Sequence, residues 1–211
     1  MIIAIDGPAA AGKGTLARRL AEHFGLAFLD TGLLYWAVGM NIVRSGADSN
    51  DPVLAEAAAK ALTPKDLEAE DLRTDAAADA ASRVSAVPGV RAQLLEFQRH
   101  FAADPPGGAK GTVLDGRDIG TVVCPEADAK IYLDASVEAR AKRRVKELRL
   151  RGVESIESRV LQEMQDRDAR DSGRAVAPLR AADDALRIDT TDLSPDKVFD
   201  RALSYIAERL G

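Results

Sequence analysis

A glycine-rich segment near the N-terminus gives the clearest chemical signal in the sequence. It reads GPAAAGKGT, follows the apolar run Met1–Asp6 and precedes residues with helical periodicity. Glycines let backbone N–H groups turn toward phosphate oxygens, and the N-terminus of the next helix adds positive potential. The segment predicts a triphosphate-binding loop, with a lysine that reaches the β- and γ-phosphates, made of Gly7, Pro8, Ala9, Ala10, Ala11, Gly12, Lys13, Gly14 and Thr15.

The loop departs from the general pattern, which places Ser or Thr directly after the lysine. Gly14 intervenes, and Thr15 supplies the hydroxyl. This variant is typical of nucleotide kinases of the adenylate-kinase type. The alternative interpretation is a plain glycine turn between a strand and a helix, and the spacing and the context both argue against it.

A second signal is the segment TVLDGRD, in which an apolar strand ends in an acid. An acid at a strand end beside a phosphate loop is typical of residues that position magnesium. Either Asp115 or Asp118 could hold a water bound to the ion, although strands also end in Asp-Gly simply to form a turn. The predicted cofactor is Mg²⁺ with ATP, and Asp115 is the first candidate to hold it.

Arginines at helical spacing form a third signal. Residues three and four apart share one helix face, as do Arg140, Arg143 and Arg144, and the same spacing recurs at Arg167, Arg170 and Arg174. Phosphoryl transfer spreads negative charge over equatorial oxygens, and guanidinium forks stabilise that charge. A solvated basic face is the alternative, but the preference for arginine over lysine in the second group favours bidentate contacts with anions.

Composition limits the possible partners. The 211-residue chain has a net charge of −5, which makes it a poor candidate for non-specific nucleic-acid binding. Residues 140–180 nevertheless hold twelve Lys/Arg against seven Asp/Glu. A basic segment in an acidic protein indicates a small anionic ligand.

Cysteine, histidine and apolar content exclude further classes. One cysteine, Cys124, cannot form an intrachain disulfide, which predicts a reducing cytoplasm. His23 and His100 are far apart and lack a cysteine cluster, which argues against a zinc site. No apolar run approaches the length that spans a membrane, so we expect no membrane partner.

Strand-like and helix-like segments alternate along the chain. Short apolar runs predict strands at residues 1–6, 26–29, 112–115, 130–133 and 186–189. Helical patterns lie at residues 15–24, 31–44, 51–62, 75–86, 88–103, 136–150, 155–171 and 195–210. This alternation predicts an α/β domain with a parallel sheet covered by helices on both faces.

Five segments together resemble the bacterial cytidylate kinase family. They read GPAAAGKGT, FLDTG at residues 28–32, DGRDIGTVV at 115–123, KIYLDAS at 130–136 and RDARDSGRAVAPL at 167–179. They occur in the family's order over nearly the whole chain, and the DGRD and RAVAPL segments are specific to that family among phosphate-loop proteins. The resemblance implies a three-layer phosphate-loop NTPase fold with a five-stranded parallel sheet, a helical acceptor-binding insert and a lid.

The same resemblance implies roles for individual residues. The acceptor residues would be Thr31, Arg73, Ser82, Arg91, Arg117, Asp118, Asp171 and Arg174. Ser82, Arg91 and Asp118 would read the cytosine, Asp171 would hold the ribose, and Arg117 and Arg174 would hold the acceptor phosphate. Residues over ATP would be Arg143, Arg144, Arg167 and Arg170, with Arg144 binding ATP and the others joining Lys13, Arg117 and Arg174 in catalysis.

The implied organisation is a single kinase domain that acts as a monomer on ATP and CMP or dCMP. Its core would span residues 1–44, 73–149 and 185–211, the insert about 45–72, and the lid about 150–184. Two departures from the family matter. Trp36 stands where the family has an arginine after the tyrosine, so that contact is lost or supplied by Arg73, and the insert is short, alanine-rich and helix-forming.

Three other functions remain as alternatives. One is a kinase for adenylate, uridylate or shikimate, which the DGRD and RAVAPL segments disfavour. Another is a nucleotide-binding regulator, although the sequence has no N-K-x-D guanine-reading motif. The last is a catalytically inactive binding module, which the retained Lys13 and arginine groups argue against.

Overall fold

A five-stranded sheet forms the centre of the fold. The computed structural model describes residues 1–48, 50–63, 66–67, 69, 72 and 74–210. The sheet order is β2-β3-β1-β4-β5, with β1 Ile2–Asp6, β2 Ala27–Asp30, β3 Thr112–Gly116, β4 Ala129–Asp134 and β5 Leu186–Asp189. Parallel pairing joins β1 to β3 and to β4, and β4 to β5. The predicted α/β fold with a five-stranded parallel sheet is confirmed.

Eight α-helices accompany the sheet in the described part of the chain. They are α1 Lys13–Phe24, α2 Thr31–Ser45, α3 Pro52–Lys60, α4 Asp75–Val84, α5 Pro88–Ala103, α6 Val137–Leu150, α7 Glu157–Ser172 and α8 Pro195–Leu210. Asp51 caps α3 by accepting the N–H groups of Val53 and Leu54, and proline follows it at the first helical position. Across these described residues, no helix has the length and apolar character needed to cross a membrane.

Helix α1 and one turn differ from the predictions. Helix α1 begins at Lys13, two residues before the predicted start at Thr15, because the loop glycines lead directly into helical geometry. A π-helical turn over Ile119–Val123 was not predicted. Both Val122 N and Val123 N donate to Asp118 O, at 2.9 and 3.1 Å, which widens this turn beyond α-helical spacing. A short 3₁₀ turn also forms at Pro106–Gly108.

The chain divides into two compact units. The first comprises Met1–Leu29 with Pro105–Gly211, and the second comprises Asp30–Asp104. In the first unit, Ile3, Ala4 and Ile5 of β1 are all fully buried, as expected for a parallel strand with both faces covered. Leu20 of α1 and Ile206 of α8 pack into this core.

The second unit is helical and has its own core. Leu34, Val38 and Ile42 on one face of α2 cluster with buried residues of α3, α4 and α5. Helices α2 and α4 lie close together at Gly39, where an added Cβ would lie 2.7 Å from Ala81 N. A side chain at this position would collide with the backbone of α4, so glycine permits the close packing.

Candidate active site

Two glycines with positive φ shape the backbone of the phosphate loop. Gly7 follows β1 with a φ of 145°, and a Cβ there would lie 2.0 Å from Leu133 O. Gly12 has a φ of 99° and ends the loop directly before α1. Both positions therefore require glycine, the first because β4 leaves no space and both because of the positive φ. The predicted order of strand, loop and helix is confirmed.

Lys13 lies buried at the first turn of α1. Its Nζ donates to Pro8 O at 3.0 Å and lies 3.7 Å from Asp115 Oδ1. The carbonyl and the carboxylate hold the ammonium group across the loop. A positive charge fixed there can stabilise phosphate oxygens without first ordering a flexible chain.

The residues around Asp115 suit a magnesium ion bound together with a nucleotide. A Cβ at Gly14 would lie only 3.3 Å from Asp115 Oδ2, so the carboxylate sits against the start of α1. The exposed Thr15 offers a hydroxyl at the same helix end. Magnesium prefers hard oxygen ligands, and it commonly uses one or two protein oxygens with water and substrate phosphates. Asp115 and Thr15 would hold the ion. Among the described residues, no group of three or more His, Cys, Asp or Glu side chains is arranged to bind a metal.

Two arginines of α6 support the loop from its carbonyl side. Arg140 donates to Ala9 O at 3.4 Å, and Arg143 donates to Ala10 O at 3.4 Å. Arg143 also donates to Thr190 Oγ1 at 3.0 Å and to Thr190 O. The structure thus places Arg143, predicted to be catalytic, on protein oxygens behind the loop. Arg140 and Arg143, which were predicted to share a helix face, both donate hydrogen bonds to the loop backbone.

Thr190 completes this support and was missed in the sequence. Its Oγ1 donates to Ala11 O at 3.0 Å, 179 residues away in the chain. It directly follows β5, which suggests a position at the carboxyl edge of the sheet but does not indicate a partner.

Three arginines converge on one buried carboxylate. Arg117 Nε donates to Asp171 Oδ2 at 3.0 Å, and Arg174 Nη2 donates to Asp171 Oδ1. Arg167 Nε lies 4.0 Å from Asp171 Oδ2 and has no hydrogen-bond acceptor among the described residues. These four predicted residues, from two distant parts of the sequence, are therefore brought together.

The charged groups in this cluster shift each other's pKa values. Burial alone would raise the pKa of Asp171, but Arg117, Arg174 and Arg167 together lower it below the usual value. Burial, followed by repulsion from Arg117, lowers the pKa of Arg167 to about 10, and Arg174 and Arg144 add to that repulsion. The cluster carries excess positive charge, which an anionic ligand would relieve.

Arg144 and Arg170 are also held by their own helices. Arg144 Nη1 donates to Glu147 Oε2 at 3.1 Å. Arg170 Nε donates to Asp166 O at 3.4 Å, a long bond at the surface. Their predicted contacts with ATP stay predictions.

Asp6 is a further buried carboxylate that the sequence did not single out. Its Oδ1 accepts the N–H of Ile119 at 2.7 Å, and its Oδ2 accepts the N–H of Gly120 at 2.8 Å. Burial raises its pKa to about 7, although the two hydrogen bonds act in the opposite direction. The only signal in the sequence is that an acid closes an apolar strand directly before the phosphate loop.

Several predicted acceptor residues lie in the second unit. The Ser82 hydroxyl is buried and has no hydrogen-bond partner among the described residues. Arg91 is buried, donates to Ser85 O at 3.3 Å, and lies with its guanidinium carbon 5.6 Å from the centre of the Tyr35 ring. Thr31 is buried at the start of α2. Arg73 lies outside the described residues.

Two solved structures that share the fold are named as kinases. A sugar kinase from Janibacter sp. aligns over 98% of this chain and 94% of its own, with a TM-score of 0.51 and 17% identity. A shikimate kinase from Acinetobacter baumannii aligns over 99% and 94%, with a TM-score of 0.50 and 18% identity. At such identity, the similarity establishes the fold alone.

Sequence comparison is more specific. A family model described as cytidylate kinase matches residues 3–208. A cytidylate kinase from Paramagnetospirillum magneticum is 62% identical over 208 residues, covering 99% of this chain and 98% of the relative. One from Rhodospirillum rubrum is 57% identical over 209 residues, covering 99% and 98%. With the loop, the acid beside it and the buried arginines in place, the chain belongs to the cytidylate kinase family.

Proposed function

We propose that the protein transfers the γ-phosphoryl group of ATP to CMP and dCMP, forming ADP with CDP or dCDP. The observation that carries this proposal is the cluster of partly buried Arg117, Arg167 and Arg174 around the buried Asp171. It lies in the same unit as the phosphate loop and has the excess positive charge that two phosphate-bearing substrates require. The named relatives support cytidine nucleotides as the acceptors.

The chemistry is a direct displacement at phosphorus. An oxygen of the acceptor phosphate forms a bond to the γ-phosphorus of ATP, while the bond to the bridging oxygen breaks and ADP leaves with the electron pair. The acceptor phosphate is already nucleophilic near neutral pH, so no strong general base is needed. The protein acts by orienting two anions and by stabilising the charge that moves to the leaving oxygen.

Each part of the first unit has a role in this scheme. The loop N–H groups and Lys13 hold the β- and γ-phosphates, and Arg143 with Arg140 keeps the loop backbone in place. Arg117 and Arg174 would hold the acceptor phosphate, and Arg167 would face the transferring group. Magnesium, held near Asp115 and Thr15, would supply further charge neutralisation on the phosphates.

We assign recognition of the base to Ser82, Arg91 and Asp118. Cytosine offers an amine donor with a ring nitrogen and a carbonyl oxygen as acceptors, so an acid and polar donors can distinguish it. In the second unit, the buried Ser82 hydroxyl and the buried Arg91 meet that description. In the first unit, the buried Asp118 supplies the acid. Asp171 would bind the ribose while it keeps its ion pairs with Arg117 and Arg174.

We also propose a lid, an acceptor insert, an oligomeric state and a cellular location. We expect residues about 150–184 to act as a lid that excludes water during transfer, since a wet site would hydrolyse ATP. Residues about 45–72 would form the acceptor insert. We further propose that the enzyme works as a monomer in the cytoplasm.

The test is ADP formation from ATP and Mg²⁺ with CMP, dCMP, UMP, AMP or shikimate added singly. Rapid turnover with CMP and dCMP, and little with the others, is the expected result. Preference for UMP, AMP or shikimate would mean that the cluster serves another acceptor. Equal ATP hydrolysis with and without any acceptor would contradict a kinase role altogether.

A further inference from the structure

Asp6 connects two segments that the proposed reaction uses. It is the last residue of β1 and is followed directly by Gly7, the first residue of the phosphate loop. Its two carboxylate oxygens accept the N–H groups of Ile119 and Gly120 at 2.7 and 2.8 Å. Those residues begin the π-helical turn that comes directly after Arg117 and Asp118.

The turn depends on this carboxylate. The first N–H groups of a helical turn have no partner within the turn itself. A buried N–H without an acceptor is costly, so an acceptor at this point determines where the turn can lie. Asp6 supplies one oxygen for each of the two N–H groups. The position of Arg117 and Asp118 is therefore tied to the start of the phosphate loop.

We propose that Asp6 is a positioning residue that sets the Arg117–Asp118 segment relative to the phosphate loop, and so controls the affinity for the acceptor nucleotide. This inference rests on the proposed function, in which Arg117 and Asp118 contact the acceptor. Asp6 itself makes no contact with substrate in this scheme.

The arrangement requires an ionised carboxylate. Both oxygens act as acceptors, whereas a protonated carboxyl would present one O–H toward a neighbouring N–H and lose that hydrogen bond. The surroundings include Asp118, which favours protonation, and Lys13, which opposes it. From β4, Tyr132 pairs with Asp6 in the sheet register, and the Lys130 side chain borders Gly120. With a pKa of about 7, Asp6 would change its protonation near neutral pH.

Asp6→Asn provides the main test, because asparagine keeps the size but offers only one acceptor oxygen. The KM for CMP should rise on the order of tenfold, the loss expected for one hydrogen bond to a charged group, while the KM for ATP stays within about twofold. The matched control is Asp128→Asn, since Asp128 Oδ2 accepts the Ile2 N–H at 2.7 Å at the other end of β1. That variant should leave both KM values unchanged. Equal rises in both KM values for Asp6→Asn would indicate general damage and overturn the proposal.

A pH profile separates positioning from simple structural support. For the wild type, kcat/KM for CMP should fall as the pH drops below about 7, beyond the fall caused by the substrate phosphate, whose second pKa is about 6. Asp6→Asn should lose the additional fall and keep the substrate's part. Identical profiles for the two enzymes would contradict the role of Asp6.

Two further variants make the result decisive. If Asp6→Asn does not fold, Gly120→Ala is measured instead, because its Cβ would lie 3.2 Å from Lys130 Cδ and 3.4 Å from Asp6 Oδ2. A rise in the KM for CMP of about threefold or more with unchanged KM for ATP supports the proposal, and no change overturns it. Arg117→Gln tests the proposed function separately. If Arg117→Gln raises the KM for CMP and the Asp6 change does not, the positioning inference alone fails, whereas no effect of either contradicts the acceptor site.

Discussion

Arg140 of α6 forms two hydrogen bonds with Asp168 of α7, Nη1 to Oδ1 at 3.2 Å and Nη2 to Oδ2 at 2.6 Å. The same guanidinium group donates to Ala9 O in the phosphate loop, and its Nε donates to Ala135 O at 2.9 Å. One buried side chain thus links the loop with two helices. Because α7 also carries Arg167 and Asp171, this link relates the arginine cluster to the loop.

Removing the carboxylate from this pair should destabilise the protein. Asp168→Asn leaves the Arg140 guanidinium buried without its charged partner, and Asp168 is itself partly exposed. We expect a loss of roughly 1–3 kcal/mol in the free energy of unfolding, between the values for exposed and for buried pairs. Urea unfolding measures it. The control is Glu163→Gln on the same helix, which removes the exposed Arg159–Glu163 pair and should change stability by less than about 0.5 kcal/mol. Equal losses for both variants would contradict the role assigned to Arg140.

Lys13 should affect the rate more than the fold. Lys13→Met keeps an apolar chain of similar length but removes the charge 3.7 Å from Asp115. We propose that this charge stabilises the transferring group, so kcat should fall by about 100-fold or more. Steady-state kinetics with saturating ATP and CMP gives kcat, and circular dichroism checks the fold. Lys197→Met, at an exposed position on α8, should retain wild-type kcat. A retained kcat in Lys13→Met would count against the proposed chemistry.

The geometry of Arg167 should matter beyond its charge. Arg167→Lys keeps a cation but removes the planar fork, and we expect kcat with CMP to fall by about tenfold to 100-fold. Arg159→Lys on the same helix is the matched control, because its side chain is largely exposed and pairs only with Glu163 in the contacts described. Its kcat should stay within about twofold of the wild type. Similar kcat values for both variants would show that Arg167 acts only as a distant charge.

Asp6 should make stability depend on pH in an unusual direction. Its pKa rises from an ordinary 3.8 to about 7 in the folded protein, so between these values the folded state holds a proton that the unfolded chain has released. Stability due to this group therefore decreases as the pH rises from about 4 to about 7, and the cost is fully present above pH 7. Asp6→Asn removes that dependence.

The measurement is urea unfolding of both proteins across that pH range. The free energy of unfolding of the variant minus that of the wild type should increase with pH, by at most about 4 kcal/mol, and then level off. Asp128→Asn, which replaces an aspartate at the other end of the strand, should show no such increase. A difference that stays constant with pH for Asp6→Asn would contradict the raised pKa.

Ser82 gives a test of base recognition. Its buried hydroxyl has no partner among the described residues, so a ligand group would satisfy it. Ser82→Ala should raise the KM for CMP by about tenfold, as expected for one lost hydrogen bond, and should narrow the preference for CMP over UMP. Ser204→Ala on α8, where the hydroxyl donates to Asp200 O at 3.1 Å, should leave the KM values for CMP and UMP unchanged. Unchanged KM for CMP in Ser82→Ala would exclude the serine from the base site.

The sequence predicts this fold well where local chemistry decides the structure. Apolar runs such as that around Ile3 and Ile5 predict buried strands, and Asp51 before proline predicts the start of α3. Spacing also predicts that Arg167 and Arg170 lie on a helix, and α7 carries both of them. These features need only neighbouring residues, so one sequence is enough to find them.

The remainder depends on distant parts of the chain. Arg117 meets Asp171 across 54 residues, and Asp6 meets the Ile119 N–H across 113. No periodicity encodes such pairs, because the sheet order brings them together. The π-helical turn is similar, since the Asp6 carboxylate that accepts its first two N–H groups lies 113 and 114 residues away in the chain. Arg143 illustrates the same limit, because its spacing indicates a helix face but not that loop carbonyls and Thr190 occupy its donors.

Gly39 bears on the proposed recognition of the base through its packing against α4. A Cβ there would lie 2.7 Å from Ala81 N and 3.0 Å from the Ala80 carbonyl carbon, the residues directly before Ser82. The absence of a Cβ at Gly39 therefore allows α4 to pack close to α2, and Ser82 follows directly after the residues in that contact. A single carbon atom added on α2 would press against α4 and shift the Ser82 hydroxyl, which we propose contacts the base.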